Sequence, residues 1–314
     1  MNDSSQNILT TFIGFDDFLD FLKIRIKQVT FIIISVTFTG SLASLLIPNS
    51  YTSSAIVAST KTEETLSSTL KAYSAIASFT GVNIPNEQML EVDEAIARIT
   101  SFKFFKNNFL PFIKKEDLAA VKKWDSNNNK LIYKKLFNPK TQEWLKDNET
   151  SKLNSPSDLV LFQEYLKLLE ITKDDITQLL TISITHKSPY ISRDWTKIII
   201  KNINLVMQEL DKESAINSIK FLNNEALAIN YQSIQQAINS LIEIQLQNLM
   251  LASSNDDYVF RIIDDPYLQE VHSAPNRLGI SVLSFILGIF ISLMYILFYI
   301  PKIKRLSGSD IEQS

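Results

Sequence analysis

Val29 to Ile47 reads VTFIIISVTFTGSLASLLI, and Leu278 to Ile300 reads LGISVLSFILGIFISLMYILFYI. Neither stretch carries a charged side chain. A helix needs roughly 20 apolar residues, rising about 1.5 Å each, to cross a bilayer. Both stretches are that long. The chain is therefore expected to have two transmembrane helices, 29–47 and 278–300. They follow a leader, 1–28, and precede a tail, 301–314. Everything between them, 48–277, is held on one side of the membrane.

Charge flanking the spans sets the orientation. Lys23, Arg25 and Lys27 precede the first span, and Lys302, Lys304 and Arg305 follow the second. On the other side Arg277 borders the second span, and the first lysine after the first span is Lys61. The positive-inside rule then places both termini in the cytoplasm. In a bacterium with two membranes the middle is periplasmic. A cleaved signal peptide is the competing reading of the first span. Its leader would carry four acids, and the apolar run exceeds the roughly 7–15 residues of a signal peptide's core.

Composition removes several function classes. There is no cysteine, so disulfides, thiolate nucleophiles and cysteine-ligated metals are out. The two histidines, His186 and His272, stand in no nucleophile motif and are expected at the surface. None of the six glycines lies between Gly81 and Gly279, so the middle can hold no phosphate-cradling loop. The tail is too short for a kinase domain. The overall charge of −3 carries no nucleic-acid signature. No catalytic, cofactor-binding or metal-binding residue is assigned. Asp174-Asp175, Asp256-Asp257 and Asp264-Asp265 are adjacent acids, which suits solvated turns better than an acid pair set for glycosyl transfer.

Along the middle, YTSSAIVAS from Tyr51 alternates as a strand, with Tyr51, Ser53, Ala55 and Val57 on one face. Glu63 to Phe79 has helical spacing, and Asn86 is placed to cap a helix through Ile99. Phe102, Phe104, Phe105, Phe109 and Phe112 are expected to pack a core. Lys103 to Lys146 holds eleven lysines against four acids, a net of +7. Asn127 to Asn129 predicts a turn within it. Ser155-Pro156-Ser157-Asp158 opens a helix to about Glu170. Leu180, Ile182 and Ile184 alternate as a second strand. From Pro189 to about Ser253 no further proline or glycine appears. One helix over 189–253 would reach roughly 95 Å, with Asp211 to Ser218 polar enough to bend it into two. Tyr258 to Ile263 predicts a third strand. The expected class is α+β: two transmembrane helices bracketing a periplasmic domain with a small mixed sheet and a very long helix.

These segments, in this order, resemble the Wzz-type chain-length determinants, polysaccharide co-polymerases without a fused kinase. The resemblance rests on the first span followed by Pro48 and Tyr51-Thr-Ser-Ser-Ala. It continues through SPSDLVLFQEYLKLLEI, LLTISITHKSP with Trp195 beyond it, and LIEIQLQNLMLASSNDDYVFRII. It ends with Asp265-Pro266 to Ala274-Pro275 leading into a span with Gly279 and Gly288. The chain departs from the family at Ser292, where a second glycine is common, and in the lysine-rich segment. The resemblance implies a homo-oligomeric, ring-like protein of the Gram-negative inner membrane. Such a protein sets the modal length of O-antigen or a related polymer, made on a lipid carrier by a Wzy-type polymerase. It implies no bond chemistry. A periplasmic adaptor of an exporter is the alternative; the glycine-free middle and the second span speak against it.

Three sets of residues are candidates for contact. Ile234, Ile238, Ile242, Leu246 and Leu249 form a narrow stripe on the long helix, suited to other copies of the chain. Gly288 and Ser292 share one face of the second span, where small residues allow close approach by another helix. That partner is this chain's first span through Gly40 and Ala43, a neighbouring subunit, or the polymerase. Lys114, Lys115, Lys122 and Lys123 are the candidates for contact with glycan or an acidic subunit surface, against the plainer reading of a solvated lysine face.

Overall fold

The structure is a computed structural model that describes residues 25–60, 91–145, 155–228, 231–254 and 257–309. The helix expected over Glu63 to Phe79, the cap at Asn86 and Asp256 lie outside the described residues. The chain divides into two compact units, 1–48 with 274–314 and 49–273.

In chain order, helix α1 spans Ile26–Leu46 and strand β1 spans Tyr51–Ser59. Helix α2, Glu91–Ile99, leads through short helical turns between Phe102 and Phe112 to α3, Lys115–Ala119. Two small hairpins follow, β2 (Val121–Asp125) with β3 (Lys130–Tyr133) and β4 (Phe137–Asn138) with β5 (Glu143–Trp144). Then come α4 (Asp158–Leu168), β6 (Leu169–Lys173) and β7 (Leu180–His186). Two long helices, α5 (Pro189–Ala228) and α6 (Gln232–Ser254), precede β8 (Phe260–Asp264) and α7 (Arg277–Ser309).

The larger unit is α+β. Its main sheet has the order β6-β7-β1-β8. Every pairing is antiparallel rather than mixed. β1 is buried at Tyr51, Ser53, Ala55 and Val57, every second residue, because side chains on a strand alternate between faces. Tyr51 pairs with His186 and Val57 with Leu180. On the outer face, Thr52 and Thr185 share a hydroxyl bond at 2.7 Å, and Ser183 donates to Ser54 at 3.0 Å. Such cross-strand pairs hold register.

Ala55, Val57, Ile182 and Ile184 join Ile199, Ile200 and Ile203 of α5 in the core. The phenylalanine-rich segment completes it. Phe105 and Phe109 are fully buried, with ring centroids 5.2 Å and 4.7 Å from Tyr165. Phe105–Phe109 winds as one π-type turn, which brings both rings inward. Phe102 and Phe112 remain exposed. Tyr165 donates its hydroxyl to Ile99 O at 3.0 Å, so this buried polar atom is satisfied.

Several expectations change. The helix from Ser157 stops at Leu168, and Leu169 to Lys173 becomes β6. Leu169 and Ile171 alternate, and pairing with β7 gives their backbone groups partners. The very long helix is two. α5 runs unbroken through Asp211 to Ser218, the segment polar enough to permit a bend, and ends at Ala228. α6 then packs back on it: Asn217, Phe221 and Leu222 share a groove with Leu241 and Gln245. An isolated helix leaves its apolar stripe in water, and folding back buries Ile238 and Ala252. Asn204 fastens the base of this hairpin. Its amide accepts from the backbone N–H groups of Val259 (3.1 Å) and Phe260 (2.9 Å) and donates to Phe260 O (2.8 Å). Tyr258 donates to Asp211 at 2.5 Å.

The smaller unit is the antiparallel pair α1–α7. Both helices are long and apolar enough to cross a membrane. α7 continues past Ile300 to Ser309. Asn276 caps it, its Oδ1 accepting from Gly279 N–H at 2.9 Å. The hydroxyls within the spans bond back to their own helix: Thr37 to Ile33 O, Thr39 to Ser35 O, Ser284 to Ile280 O, each at 2.7–2.8 Å. A hydroxyl satisfied this way is compatible with lipid.

Candidate functional site

The stripe on α6 divides between two surroundings. Ile238 is 7 % exposed and lies inside the hairpin. Ile242 and Leu249 are half-buried. Ile234 and Leu246 are exposed, at 44 % and 46 %. Exposed Leu227 on α5 and Tyr231, Met250 and Leu251 beside or on α6 add large apolar surface outside the hairpin, and Phe221 is exposed at the edge of its groove. Part of the stripe therefore serves the chain's own fold, and part remains without cover. The sequence did not single out these further residues, because they fall off the strict four-residue repeat.

Within the span pair, Gly288 and Gly40 sit at the closest approaches. A Cβ at Gly288 would lie 3.1 Å from the Ile33 Cα and 3.2 Å from its carbonyl oxygen. A Cβ at Gly40 would overlap the Ser284 hydroxyl. Ser41 and Ser281 share a hydroxyl bond at 2.9 Å. Ser292 is buried and donates to Ile289 O at 2.8 Å. Ala43 is exposed, and Ser44 takes the buried place beside it. The signal for the missed serines was present: Ser281, Ser284, Gly288 and Ser292 follow one another at spacings of three and four, one helix face.

The lysine candidates are all exposed. Lys114 and Lys115 flank the start of α3. Lys115 pairs with Asp158 at 3.0 Å, and Lys106 stands 3.8 Å from the same carboxylate. The hydrogen bond from Lys115 holds the Asp158 carboxyl below its ordinary range. Lys122 and Lys123 project from β2 with no ion pair within 4.0 Å among the described residues.

His186 is the largest departure from expectation. It is buried, not at the surface. Ser188 N–H donates to its Nδ1 at 3.0 Å, and its Nε2 lies 3.0 Å from Asp117 O. The neutral ring protonated at Nε2 satisfies both contacts at once. Burial pushes its pKa down to about 4. With both nitrogens held by backbone groups, this ring fastens β7 to α3. The Asp117 side chain accepts from the Tyr133 hydroxyl at 2.7 Å, and burial raises its pKa against that bond and Lys114. Asp174 closes the β6–β7 turn by accepting from the backbone N–H groups of Ile176 and Thr177. The polar groups of this unit that depart most from ordinary behaviour thus have structural partners. Among the described residues no three His, Cys, Asp or Glu side chains are grouped to hold a metal. A cleft of about 350 Å³ lies between α5 and the 98–108 region, with Arg98, Lys103, Asn107, Asn108 and Glu209 at its edge.

No family model and no curated protein matches the sequence. Among solved structures, the chain is similar over 93 % of its length to a full-length bacterial polysaccharide co-polymerase, of which 99 % is covered, at 14 % identity and a TM-score of 0.38. It is similar over 72 % of its length to a fragment of WzzB, a polysaccharide co-polymerase from Salmonella Typhimurium, covering all of that chain at 14 % identity and a TM-score of 0.26.

Proposed function

We propose that this chain is a polysaccharide co-polymerase that sets the modal length of a surface polysaccharide, lipopolysaccharide O-antigen in the first instance. In this reading it works as a homo-oligomeric scaffold in the inner membrane, with both termini cytoplasmic and residues 48–277 periplasmic. It engages a Wzy-type polymerase and the lipid-linked glycan, and it breaks and makes no bond itself.

The observation that carries the reading is the helical hairpin between two apolar helices. α5 has 40 residues, or about 60 Å of helix. Asn204 and Tyr258 fix its base to the sheet, while large apolar side chains are left in solvent along its outer faces. Exposed large apolar side chains in this number suit association with another protein surface. Copies of the same chain would cover them through Ile234 and Leu246 on α6. The order of sequence segments that resembles the Wzz-type determinants supplies the biological role.

The test is deletion and complementation. Lipopolysaccharide from the deletion strain should lose its modal band on a gel and regain it with the wild-type gene. Banding that is unchanged on deletion would sink the reading.

A further inference from the structure

The first strand residue after α1 anchors an aromatic cluster. Tyr51 meets Trp124 of β2 edge-on, with ring centroids 5.4 Å apart, and Trp124 meets Tyr190 at 6.1 Å. Lys187 donates to Ser50 Oγ at 2.7 Å. Burial, and then the nearby charge of Lys134, hold the Lys187 ammonium below its ordinary range. The β2–β3 strand pair is thus docked against the opening residues of β1. Residues 121–135 contain five lysines and a single acid, Asp125. Lys122, Lys123, Lys130 and Lys135 are exposed, and none joins an ion pair within 4.0 Å among the described residues. Ile132 and Leu136 add exposed apolar side chains among them.

Tyr51 is five residues beyond Leu46, and five extended residues reach at most about 18 Å. The return path leaves from the same place: Ser273 N–H donates to Ser50 O at 2.8 Å, and Thr52 N–H to Ser273 Oγ at 3.0 Å. Tryptophan and tyrosine favour the level of the lipid headgroups. Lysines beside an anionic leaflet gain about fivefold each in partitioning.

We propose that the β2–β3 strand pair is a membrane-surface anchor, with Trp124 at headgroup level and Lys122, Lys123, Lys130 and Lys135 on the phosphates of anionic phospholipid in the leaflet from which α1 emerges. The proposal rests on α1 being a span and is independent of any role in polysaccharide synthesis. It gives the lysine-rich segment a lipid partner rather than a glycan.

The absence of cysteine makes the test direct. The full chain carrying Asn128→Cys, labelled with bimane, is reconstituted in vesicles of phosphatidylcholine alone or mixed with phosphatidylglycerol. A nitroxide on the lipid headgroup serves as quencher. Quenching should rise about twofold or more with phosphatidylglycerol and fall back at high salt, because screening acts on exposed charges. Changing the four lysines to Gln, or to Glu, should remove the rise. A label at Asn224→Cys on α5 should show none. The lipid comparison on the native lysines stands even if a quadruple variant folds poorly. Equal quenching in the two lipids would overturn the proposal. So would equal quenching at positions 128 and 224, or quenching that follows the lysines but not the lipid charge. Because no polysaccharide is present, either result leaves the proposed role in chain length untouched.

Discussion

Among the described residues the chain contains two antiparallel helix pairs, and their side chains are sorted differently. In α1–α7 small residues line the middle of the contact: Gly40, Ser44, Gly288 and Ser292 lie inside, with Val29 and Ile296 buried toward one end, while Phe31, Phe38, Leu278 and Phe290 point outward. In α5–α6 Met207 and Ile238 lie inside together with the small Ala215 and Ala252, and much of the outside is Asn, Gln, Lys and Glu. Lipid offers no hydrophobic gain for pairing two helices, so close approach must supply the packing. Water offers that gain, so burying larger side chains suffices. The sorting in α5–α6 is incomplete, however. Leu227, Tyr231, Met250 and Leu251 remain outside. The difference separates a pair whose outward side is largely apolar from a pair whose outward side is mixed.

The contrast within α6 gives the largest expected effect. Ile238→Asp places a charge inside the hairpin and should cost several kcal/mol, about the penalty for burying an unpaired polar or charged group. Melting of the α5–α6 helical signal should move to markedly lower temperature. Leu246→Asp sits on the outside and should change stability by no more than about 0.5 kcal/mol. It should instead reduce oligomer size and broaden the glycan length distribution. If Leu246→Asp retains wild-type assembly and banding, the outer face of the hairpin is not where copies meet.

The larger unit should respond to mild acid, and His186 sets the window. Its folded pKa is about 4 against an ordinary 6.5. Between those values the unfolded chain binds the proton and the folded chain does not. Stability therefore rises with pH across this range and is lost as pH falls from 6.5 toward 4. The full shift corresponds to about 3 kcal/mol. Asp117, with its pKa raised by burial, works the other way and offsets part of the loss at the acid end. Thermal melts in detergent at pH 7.5 and pH 5 should separate by several degrees for wild type. His186→Gln should be less stable at both but show a flatter dependence. An unchanged slope in that variant would assign the acid sensitivity to other groups.

The sequence disclosed what is local and periodic. β1 and β7 were legible because a two-residue alternation needs no knowledge of the partner. That Gly288 and Ser292 share one face of α7 was legible for the same reason, at a helical period. The chain reversal between α5 and α6 was not legible. No proline or glycine marks it, and an apolar stripe says that a partner exists without saying whose. The burial of His186 was hidden because the carbonyl at its Nε2 belongs to Asp117, 69 residues away. The run LLEIT gave β6 no clear sign, since a short apolar stretch fits helix and strand alike. The Tyr51–Trp124–Tyr190 cluster joins three distant segments, and no local pattern announces it.

A smaller effect probes the α1–α7 pair directly. Ser41→Cys with Ser281→Cys should form a disulfide between the two spans, because the hydroxyls now lie 2.9 Å apart and no native cysteine competes. Gly288→Leu pushes against the Ile33 backbone, and overpacking of this kind costs about 1–3 kcal/mol. Leucine suits the bilayer, so insertion should survive while cross-linking falls about tenfold. Unchanged cross-linking in membranes would show that the close approach at Gly288 is dispensable. Loss of modal length without loss of insertion would show that the second span does more than tether.

The smallest effect belongs to the lysines. Lys115→Ala removes an exposed pair with Asp158 and should change stability by less than about 1 kcal/mol, because solvent screens such pairs. A melt indistinguishable from wild type is the expected outcome. A large loss would mean that the pair fastens α3 to α4 more strongly than its exposure allows. The charges matter collectively or not at all, since exposed interactions of this size add only when many act on one partner. Reversing Lys114, Lys115, Lys122 and Lys123 together to Glu should therefore leave the fold intact and alter assembly or modal length. Normal oligomers and normal banding from that variant would remove the +7 segment as a subunit or glycan contact and leave the exposed α5–α6 surface as the place to look for contact between copies.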